Sequence, residues 1–600
     1  MCRLNSCDCP EDSDTLQLSR SPPQMPRIVA TLPVPEATSC QAIENELFDS
    51  ESDELKRWPT SSEVIEELKQ IGSIACPMVI MGLLLYARAM ISMLFLGRLG
   101  ELELAGGSLA IGFANITGYS VLAGLSMGME PICGQGFGAK RWDLMGLTLQ
   151  RTILFLICAC LPIGFLWVNM KRILLWCGQD KNITQMASTY LIFSLPDLLA
   201  QAILNPLRIY LRTQKVTLPL TCCAAVALLV HVPINLFLVH YVGMGIRGVA
   251  LGASWTNFNY VFLLIGYLRF SVIYNNSWAG WSSECLKDWK PLLNLAIPSC
   301  LSVCLEWWWY ELMIIFSGLL GNAQAAVATM GILIQTTALV YVFPSSLSLA
   351  VSTRVGNELG ANRPEKARIA MLVALGCASV LGVIAMTFTT TMRHAWGSMF
   401  TSDEAILSLT ALALPVVGLC EIGNCPQTTG CGVLRGSARP STGANINLGS
   451  FYFVGLPVAL LLGFLFNVGF VGLWFGLLAA QGACVVLILI IMMRTDWAHQ
   501  AARAKLLTAY TRAEKIADLR SGCLQDQSET KEILEYGFDG KDEQQMALIS
   551  IKVIHSLPNS NRRSSCGLNN VRETGVDELT IKAPIPLAFS NSHLKNSDYS

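Results

Sequence analysis

Charged residues are scarce in this chain. Asp, Glu, Lys and Arg together make up 14% of its 600 residues, whereas soluble globular proteins contain about 25%. Hydrophobic residues reach 52%. A deficit of charge over so long a chain predicts a protein that crosses a membrane many times. The net charge of −1 and the lack of a long basic run give no indication of a nucleic-acid partner.

Several functional signatures are also missing. The sequence has no GxxxxGK(S/T) motif, so ATP-driven pumping lacks support. It shows no catalytic constellation, and we therefore expect no enzymatic activity. The 21 cysteines include no pair with zinc-ligand spacing and matching histidines, so no metal or other cofactor is expected. Metal binding and palmitoylation both stay open for Cys2, Cys7 and Cys9 in the polar N-terminal segment.

Apolar stretches long enough to cross a bilayer recur along the chain. About 20 apolar residues are needed for a helix to span the hydrocarbon core, and such spans must be helical to satisfy their own backbone hydrogen bonds. The sequence therefore predicts an all-α polytopic membrane protein with twelve transmembrane helices. The predicted spans are 71–96, 105–132, 148–170, 186–210, 216–240, 246–270, 291–318, 325–350, 367–391, 405–433, 443–466 and 470–493.

Basic residues are unevenly distributed between the two sets of loops. Fourteen Lys and Arg residues follow spans 2, 4, 6, 8 and 10, against six in the opposite loops. The positive-inside rule then places both termini in the cytosol. The sequence does not decide between the plasma membrane and an endomembrane such as the vacuole, Golgi or late endosome.

The chain also repeats itself at a nearly constant offset. Pro233, Gly245, Gly248 and Gly252 recur 224 positions later as Pro457, Gly469, Gly472 and Gly476. Two pseudo-symmetric six-helix lobes are therefore predicted, at 66–273 and 291–494, which are joined by a cytoplasmic linker at 274–290. The segments 1–65 and 495–600 are predicted to be cytoplasmic tails, the first disordered and the second largely so. Transporters commonly place their substrate site between or within such halves.

Several motifs resemble those of one transporter family. They are the stretch from Gly432 to Pro440 (GVLRGSARP), the stretch from Glu130 to Ala139 (EPICGQGFGA), the stretch from Arg354 to Ala361 (RVGNELGA), and Leu305-Glu306-Trp307-Trp308. The chain resembles the multidrug and toxic compound extrusion (MATE) family, and the last motif is similar to its plant branch. The resemblance implies a V-shaped pair of six-helix lobes. It also implies antiport, in which a proton, or less commonly a sodium ion, enters while an organic solute leaves.

Two glutamates lie within the seventh span, at Glu306 and Glu311. A charged side chain at the bilayer centre costs roughly 2.5–3.5 kcal/mol, so it is retained where it faces protein or a wet cavity. The two side chains point about 140° apart on a helix and cannot line one narrow surface. The resemblance implies that the glutamate of the Leu-Glu-Trp-Trp motif couples proton movement to solute transport. Glu306 is therefore the preferred acid of the cavity. Trp307 is a candidate for stacking on cargo.

The tenth span supplies a second group of candidates. Family members usually carry an acid eleven residues before the Arg-Gly pair of this span, but Asn424 stands there and cannot titrate. Glu421 lies one turn earlier on nearly the same face, and Gln427 lies one turn later. Glu421 could replace the missing carboxylate, or an acid of the seventh span could suffice.

Four further charged residues have structural or gating interpretations. Arg88 stands in the first span, where prokaryotic relatives often have an acid, and it could pair with a carboxylate or extend toward an interface. Glu130 is interpreted as tying a loop to its helix. Arg212 and Arg435 occupy equivalent positions in the two halves, where they could anchor the cytoplasmic side or form ion pairs that gate transport.

The sequence therefore predicts a secondary antiporter, most simply a monomer, that exports small organic solutes in exchange for protons while surrounded by lipid. The main alternative is a MATE-like scaffold that regulates other proteins through its cytoplasmic tails. A channel is a further alternative, although nothing in the chain resembles a selectivity-filter loop.

Overall fold

The computed structural model describes residues 57–271 and 280–509, and these are almost entirely helical. Eleven described helices are each long and apolar enough to cross a membrane, and a bent helix pair supplies a twelfth span. The all-α prediction and the predicted number of spans are therefore confirmed. In chain order the spans are α1 Ser61–Leu99, α2 Glu101–Gly138, α3 Trp142–Val168, α4 Lys181–Phe193 with Leu195–Thr213, α5 Leu218–Tyr241, α6 Ile246–Phe270, α7 Lys290–Ser317, α8 Ala323–Gly360, α9 Pro364–Thr391, α10 Glu404–Gly436, α11 Pro440–Leu465 and α12 Phe470–Met493.

The bend in α4 lies at Ser194, where the two segments meet at 48°. Pro196 occupies the first turn of the second segment. Proline has no backbone N–H and cannot bond back to the preceding turn, so it starts a helix more readily than it continues one. The corresponding span of the second half, α10, is one continuous helix of 33 residues despite containing two prolines.

Several helices extend well beyond the predicted apolar spans. Helix α1 has 39 residues and α8 has 38, lengths of nearly 60 Å against about 30 Å for the hydrocarbon core. Helix α1 begins with a capping box, in which the Thr60 side chain accepts from the Glu63 backbone and the Glu63 side chain accepts from Thr60. Hydropathy marks only the part of a helix that lies in lipid, so these polar ends were not predicted.

The backbone repeats at the same offset as the sequence. Three pairs of residues that are 222, 223 and 224 positions apart have matching positive φ values: Lys140 (56°) and Asn362 (58°), Lys215 (63°) and Ala438 (56°), and Gly245 (55°) and Gly469 (69°). The π-helical segments Phe237–Tyr241 and Leu461–Leu465 are also equivalent. The two halves thus share turns and helix distortions as well as a helix order.

The C-terminal ends of α2 and α8 pack directly against each other. A Cβ atom added at Gly138 would collide with the backbone of Asn357, and one added at Gly360 would collide with the backbone of Gln135. Glycine therefore allows two helix backbones, one from each half, to approach closely. We call this side of the molecule, which carries the excess of Lys and Arg, the basic end.

The start of the predicted C-terminal tail is also helical. Residues 497–509 form a helix that packs through Trp497 and Ala501, and the Thr508 carbonyl accepts from Arg141 at 3.1 Å. Most of the segment 495–600, the segment 1–56 and part of the predicted linker lie outside the described residues. The candidate cysteines Cys2, Cys7 and Cys9 lie there too.

Candidate functional site

Helix α7 places Glu306 in the interior of the second half. Its side chain is buried, with 9% of the residue exposed. The Gln427 side chain of α10 points its Nε2 toward Glu306 Oε2 at 3.5 Å. Among the described residues, no Lys or Arg lies within ion-pair distance of Glu306. The carboxyl group therefore faces a neutral amide across the α7–α10 interface.

A row of polar side chains follows one face of α10. Glu421, Asn424 and Gln427 follow one another at intervals of three residues, and Thr428 lies four residues after Asn424, as expected for one broad face of a helix. All four are buried. The Asn424 Nδ2 donates to Glu421 Oε2 at 2.8 Å, and the Thr428 hydroxyl lies 3.3 Å from Asn424 Oδ1. The Gln481 amide of α12 lies 3.5 Å from the same Asn424 oxygen. The structure thus brings together four of the predicted site residues, Glu306, Glu421, Asn424 and Gln427.

The other two predicted cavity residues lie outside this row. Glu311 is half-buried in α7 and forms no hydrogen bond with any residue that the structure describes. Trp307 remains 39% exposed. The next two tryptophans pack differently, since the Trp308 indole donates to the Ile116 carbonyl of α2 at 3.2 Å and Trp309 is buried against Phe451. A role in cargo binding stays a prediction for Glu311 and Trp307.

The first half contains a different polar chain, which joins four helices. The Arg88 guanidinium of α1 donates to Asn257 Oδ1 at 2.6 Å, and Asn257 Nδ2 donates to Asp197 Oδ1 at 2.6 Å. The Tyr119 hydroxyl donates to the other Asp197 oxygen at 2.7 Å. Arg88 therefore reaches a carboxylate only through an amide. Each Asp197 oxygen therefore has a hydrogen-bond partner, one from α6 and one from α2.

A buried histidine lies near the same helices. His231 of α5 contacts the Thr256 hydroxyl through Nδ1 at 2.7 Å and the Ser92 hydroxyl through Nε2 at 3.2 Å. The Asn235 amide donates to the His231 carbonyl at 2.9 Å. These contacts satisfy a buried imidazole without a charged partner, so the group ties α1, α5 and α6 together.

Ion pairs link the two halves at the basic end. Glu130 of α2 lies with Oε1 2.8 Å from Arg212 of α4 and with Oε2 3.4 Å from Arg435 of α10. Arg435 also donates to the Ser348 hydroxyl at 2.9 Å. One buried carboxylate is therefore shared by arginines from equivalent positions in the two halves. Glu130 joins α2 to other helices, in contrast to the loop contact that the sequence suggested.

A second ion pair between the halves was not found from the sequence. Arg354 of α8 donates to both carboxylate oxygens of Glu67 in α1, at 2.7 and 2.8 Å. It also lies 2.8 Å from Glu358 on its own helix. A bidentate arginine–carboxylate pair is both strong and directional. Glu67 precedes the predicted first span, so an apolar-span search could not find it.

Asp197 was also missed, although a signal was present. It is an acid inside the predicted span 186–210, the same kind of signal that drew attention to Glu306. No group of three or more metal-ligating side chains was found among residues 57–271 and 280–509.

The chain is similar to known proteins over most of its length. The MatE family model matches residues 77–237 and 298–461, once in each predicted half. Protein DETOXIFICATION 48 of Arabidopsis thaliana is 62% identical over 467 residues, which cover 78% of this chain and 88% of the relative. Protein DETOXIFICATION 49 of the same plant is 60% identical over 447 residues, covering 74% of this chain and 89% of the relative.

Solved structures share the fold. The crystal structure of the eukaryotic MATE transporter AtDTX14 superposes with a TM-score of 0.72 at 31% identity, covering 74% of this chain and 100% of that chain. The Vibrio cholerae MATE transporter VcmN in its bent form gives a TM-score of 0.63 at 17% identity, covering 74% of this chain and 100% of that chain. At this identity the match indicates a shared fold and nothing more. The chain therefore belongs to the plant branch of the MATE family, whose members are membrane transporters and not enzymes.

Proposed function

We propose that this transporter exports small organic compounds in exchange for protons by alternating access. The observation that carries the proposal is the burial of Glu306 in a membrane helix with an amide as its polar neighbour. Keeping an unpaired carboxylate at such a depth costs several kcal/mol. Protonation removes that cost, so the same side chain is well suited to take up a proton from one side and release it on the other.

Glu421 is the second member of this proposed coupling site. Its hydrogen bond from Asn424 occupies one carboxylate oxygen, while Gln427 places an amide beside Glu306. Proton entry neutralises the site, weakens its hold on cargo and permits the helices to reorient. Each pH unit supplies about 1.36 kcal/mol, and each 100 mV supplies about 2.3 kcal/mol per charge. Together these gradients can drive solute uphill.

The ion pairs at the basic end form the proposed gate on the cytosolic side. The excess of basic residues there supports the assignment of that end, with both termini, to the cytosol. The contacts of Glu130 with Arg212 and Arg435, and of Glu67 with Arg354, join the two halves across this end. They must separate before cargo can enter from the cytosol. The names of the DETOXIFICATION relatives support export as the direction of transport.

The proposed setting is a lipid bilayer of the plasma membrane or of an endomembrane, with the chain acting as a monomer. A sodium ion is the alternative coupling ion. The two ions are distinguished by imposing either a pH gradient or a sodium gradient alone on vesicles that contain the protein.

The full-length chain in liposomes provides the test. Flux of a panel of organic cations, anions and neutral compounds is measured under an imposed pH gradient. Glu306→Gln is expected to reduce gradient-driven flux by about tenfold or more, a loss of about 1.4 kcal/mol in coupling. Glu404→Gln, which changes an exposed acid at the start of α10, serves as the matched control. Equal gradient-driven flux in wild type and Glu306→Gln would contradict the proposal.

A further inference from the structure

An apolar groove lies between the two halves and includes none of the proposed coupling residues. It has a volume of about 690 Å³ and is formed by α1 of the first half with α8 and α9 of the second. The residues that line it are all apolar, and they include Leu68 of α1, Leu347 of α8 and Val380 of α9. Leu68 is 46% exposed and Val380 is 60% exposed, so the groove opens on the outer surface of the helices, where lipid lies.

The groove runs inward from the basic end. Its lining residues on α1 include Val64, Leu68, Ala75 and Val79, whose spacings of four and seven residues place them on one face of the helix. Val79 lies 18 residues beyond the start of α1, which corresponds to about 27 Å along the helix axis. Half of a bilayer, including its headgroups, is about 20–22 Å thick. The groove is therefore long enough for one lipid molecule of the leaflet on the basic side.

Basic side chains lie at the outer end of the groove. Arg368 stands four residues before the lining residue Leu372 on α9, and its Nη1 donates to the Arg57 carbonyl at 2.7 Å. Arg57 directly precedes Trp58, which also lines the groove, and its Nη2 lies 2.9 Å from Glu63 Oε1. Among the described residues, Arg368 forms no ion pair. The two arginines therefore leave one positive charge unbalanced by Glu63.

Trp58 indicates the depth of this charged end in the membrane. Tryptophan is enriched at the boundary between hydrocarbon and headgroups, and Trp58 is 71% exposed at the mouth of the groove. The guanidinium of Arg368 thus lies at headgroup level. It has five N–H donors, of which the Arg57 carbonyl engages one nitrogen. A guanidinium binds a phosphate through parallel hydrogen bonds, so an apolar groove below and an arginine above match the two parts of a phospholipid.

We propose that this groove binds one anionic glycerophospholipid, with an acyl chain between α1 and α9 and its phosphate at Arg368. A zwitterionic lipid with the same chains fits the apolar lining equally well, and the unbalanced positive charge at the mouth selects the anionic headgroup. Because both halves line the groove, the bound lipid favours the arrangement in which α1 and α9 lie together.

Binding of single lipids to the full-length protein tests this site. The protein is purified in a non-ionic detergent, and dioleoyl phosphatidylserine and dioleoyl phosphatidylcholine are titrated separately, with the first bound lipid quantified by native mass spectrometry. Wild type is expected to bind the phosphatidylserine about tenfold more tightly. Equal affinities for the two lipids would overturn the proposal.

Substitutions at the mouth assign the headgroup contact. Arg368→Gln is expected to lose the preference for phosphatidylserine, whereas Arg368→Lys, which keeps the charge, should retain part of it. Arg98→Gln removes an exposed arginine at the opposite end of α1 and should retain all of it. An unchanged preference in Arg368→Gln would overturn the assignment.

A substitution inside the groove tests the acyl chain. Gly376 lines the groove, and a Cβ added there meets no atom within 4 Å. Gly376→Leu therefore fills open space and is expected to weaken phosphatidylserine binding about tenfold, with an unchanged unfolding temperature in lipid-free detergent. Gly266→Leu, at a glycine of α6 with equally open surroundings, is the matched control. Wild-type affinity in Gly376→Leu would overturn the placement of the chain.

The headgroup without its chains provides the last comparison. Glycerophosphoserine is expected to compete poorly with dioleoyl phosphatidylserine, because it leaves the apolar lining uncovered. Competition as strong as that of the intact lipid would show that the groove contributes nothing to binding and would overturn the proposal.

Discussion

The two halves of this transporter share a backbone plan but differ in their chemistry. Their tight turns, π-helical segments and glycine contacts recur 222 to 224 residues apart. Arg212 and Arg435 recur at equivalent positions, but other charged residues of the spans do not. The first half has Arg88 and Asp197, whereas the second has Glu306 and Glu421. The repeat therefore preserves what is needed to pack six helices in a membrane. The other charged side chains named here are not part of this shared plan.

The largest loss of stability is expected at the ion pairs that join the two halves. Glu130→Gln removes the carboxylate that Arg212 and Arg435 share, and the loss of one partner from a buried ion pair costs about 3–5 kcal/mol. We expect a lower unfolding temperature in detergent and faster hydrogen exchange in residues 130–140. The matched control is Glu358→Gln, since Glu358 pairs with Arg354 on its own helix and Glu67 remains as a partner. Equal effects of the two variants would argue against a special role for contacts between the halves.

Equivalent glycines test how closely the backbones match. A Cβ added at Gly472 would lie 2.7 Å from the Leu462 carbonyl carbon, and one added at Gly248 would lie 3.0 Å from that of Leu238. Gly472→Ala and Gly248→Ala are each expected to lower the free energy of unfolding by about 1–3 kcal/mol, with the larger loss at Gly472. Gly266→Ala, where nothing lies within 4 Å, is the control. A stable Gly472→Ala protein would show that α11 and α12 can separate without cost.

Acids of the two halves are expected to contribute differently to the coupling of proton movement and solute transport. Glu421→Gln should reduce the number of protons moved per solute, with a loss of proton-driven flux of about tenfold, or about 1.4 kcal/mol. Asp197→Asn should keep proton coupling, because Asp197 serves to balance and orient the polar chain of the first half. Proton movement and solute flux are measured together in liposomes with an internal pH-sensitive dye. Uncoupling by Asp197→Asn as severe as that by Glu421→Gln would remove the proposed division between the halves.

The smallest losses of stability are expected at the N-caps of two helices that occupy equivalent positions in the two halves. Asp180 accepts from the backbone N–H groups of Asn182 and Ile183, and Asp403 accepts from those of Ala405 and Ile406. Replacing either N-cap with alanine should lower the free energy of unfolding by about 1 kcal/mol. The double variant should lose about the sum, because distant sites are usually additive. A clear inequality between the single variants, measured by unfolding temperature, would show that the repeat does not extend to these ends.

The sequence predicted the spans well because hydropathy reports directly on contact with lipid. Helix α5 illustrates this, with 216–240 predicted and Leu218–Tyr241 observed. The long polar start of α1 was missed, since its first turns lie beyond the apolar run and are fixed by a cap at Thr60. The bend at Ser194 was missed because both segments of α4 belong to one apolar stretch.

The polar site was predictable in part. Glu306 stood out as an acid in an apolar span. Glu421 and Gln427 were found one turn on either side of Asn424, where the family resemblance expects an acid. The structure places these residues on the facing helices α7 and α10. The pairing of Glu67 with Arg354 joins residues 287 positions apart, and a single sequence carries no signal for a contact at that distance. Glu130 drew attention through a motif, but its position between two arginines follows only from how α2, α4 and α10 meet.

The break at Ser194 gives the first half a joint that the second half lacks. The two segments of α4 meet at 48°, whereas α10 is one continuous helix of 33 residues. Asp197 lies one turn beyond that joint. A change of the angle at Ser194 would move the carboxylate relative to its tyrosine and asparagine donors, so the shape of α4 is linked to the hydrogen bonding of this acid.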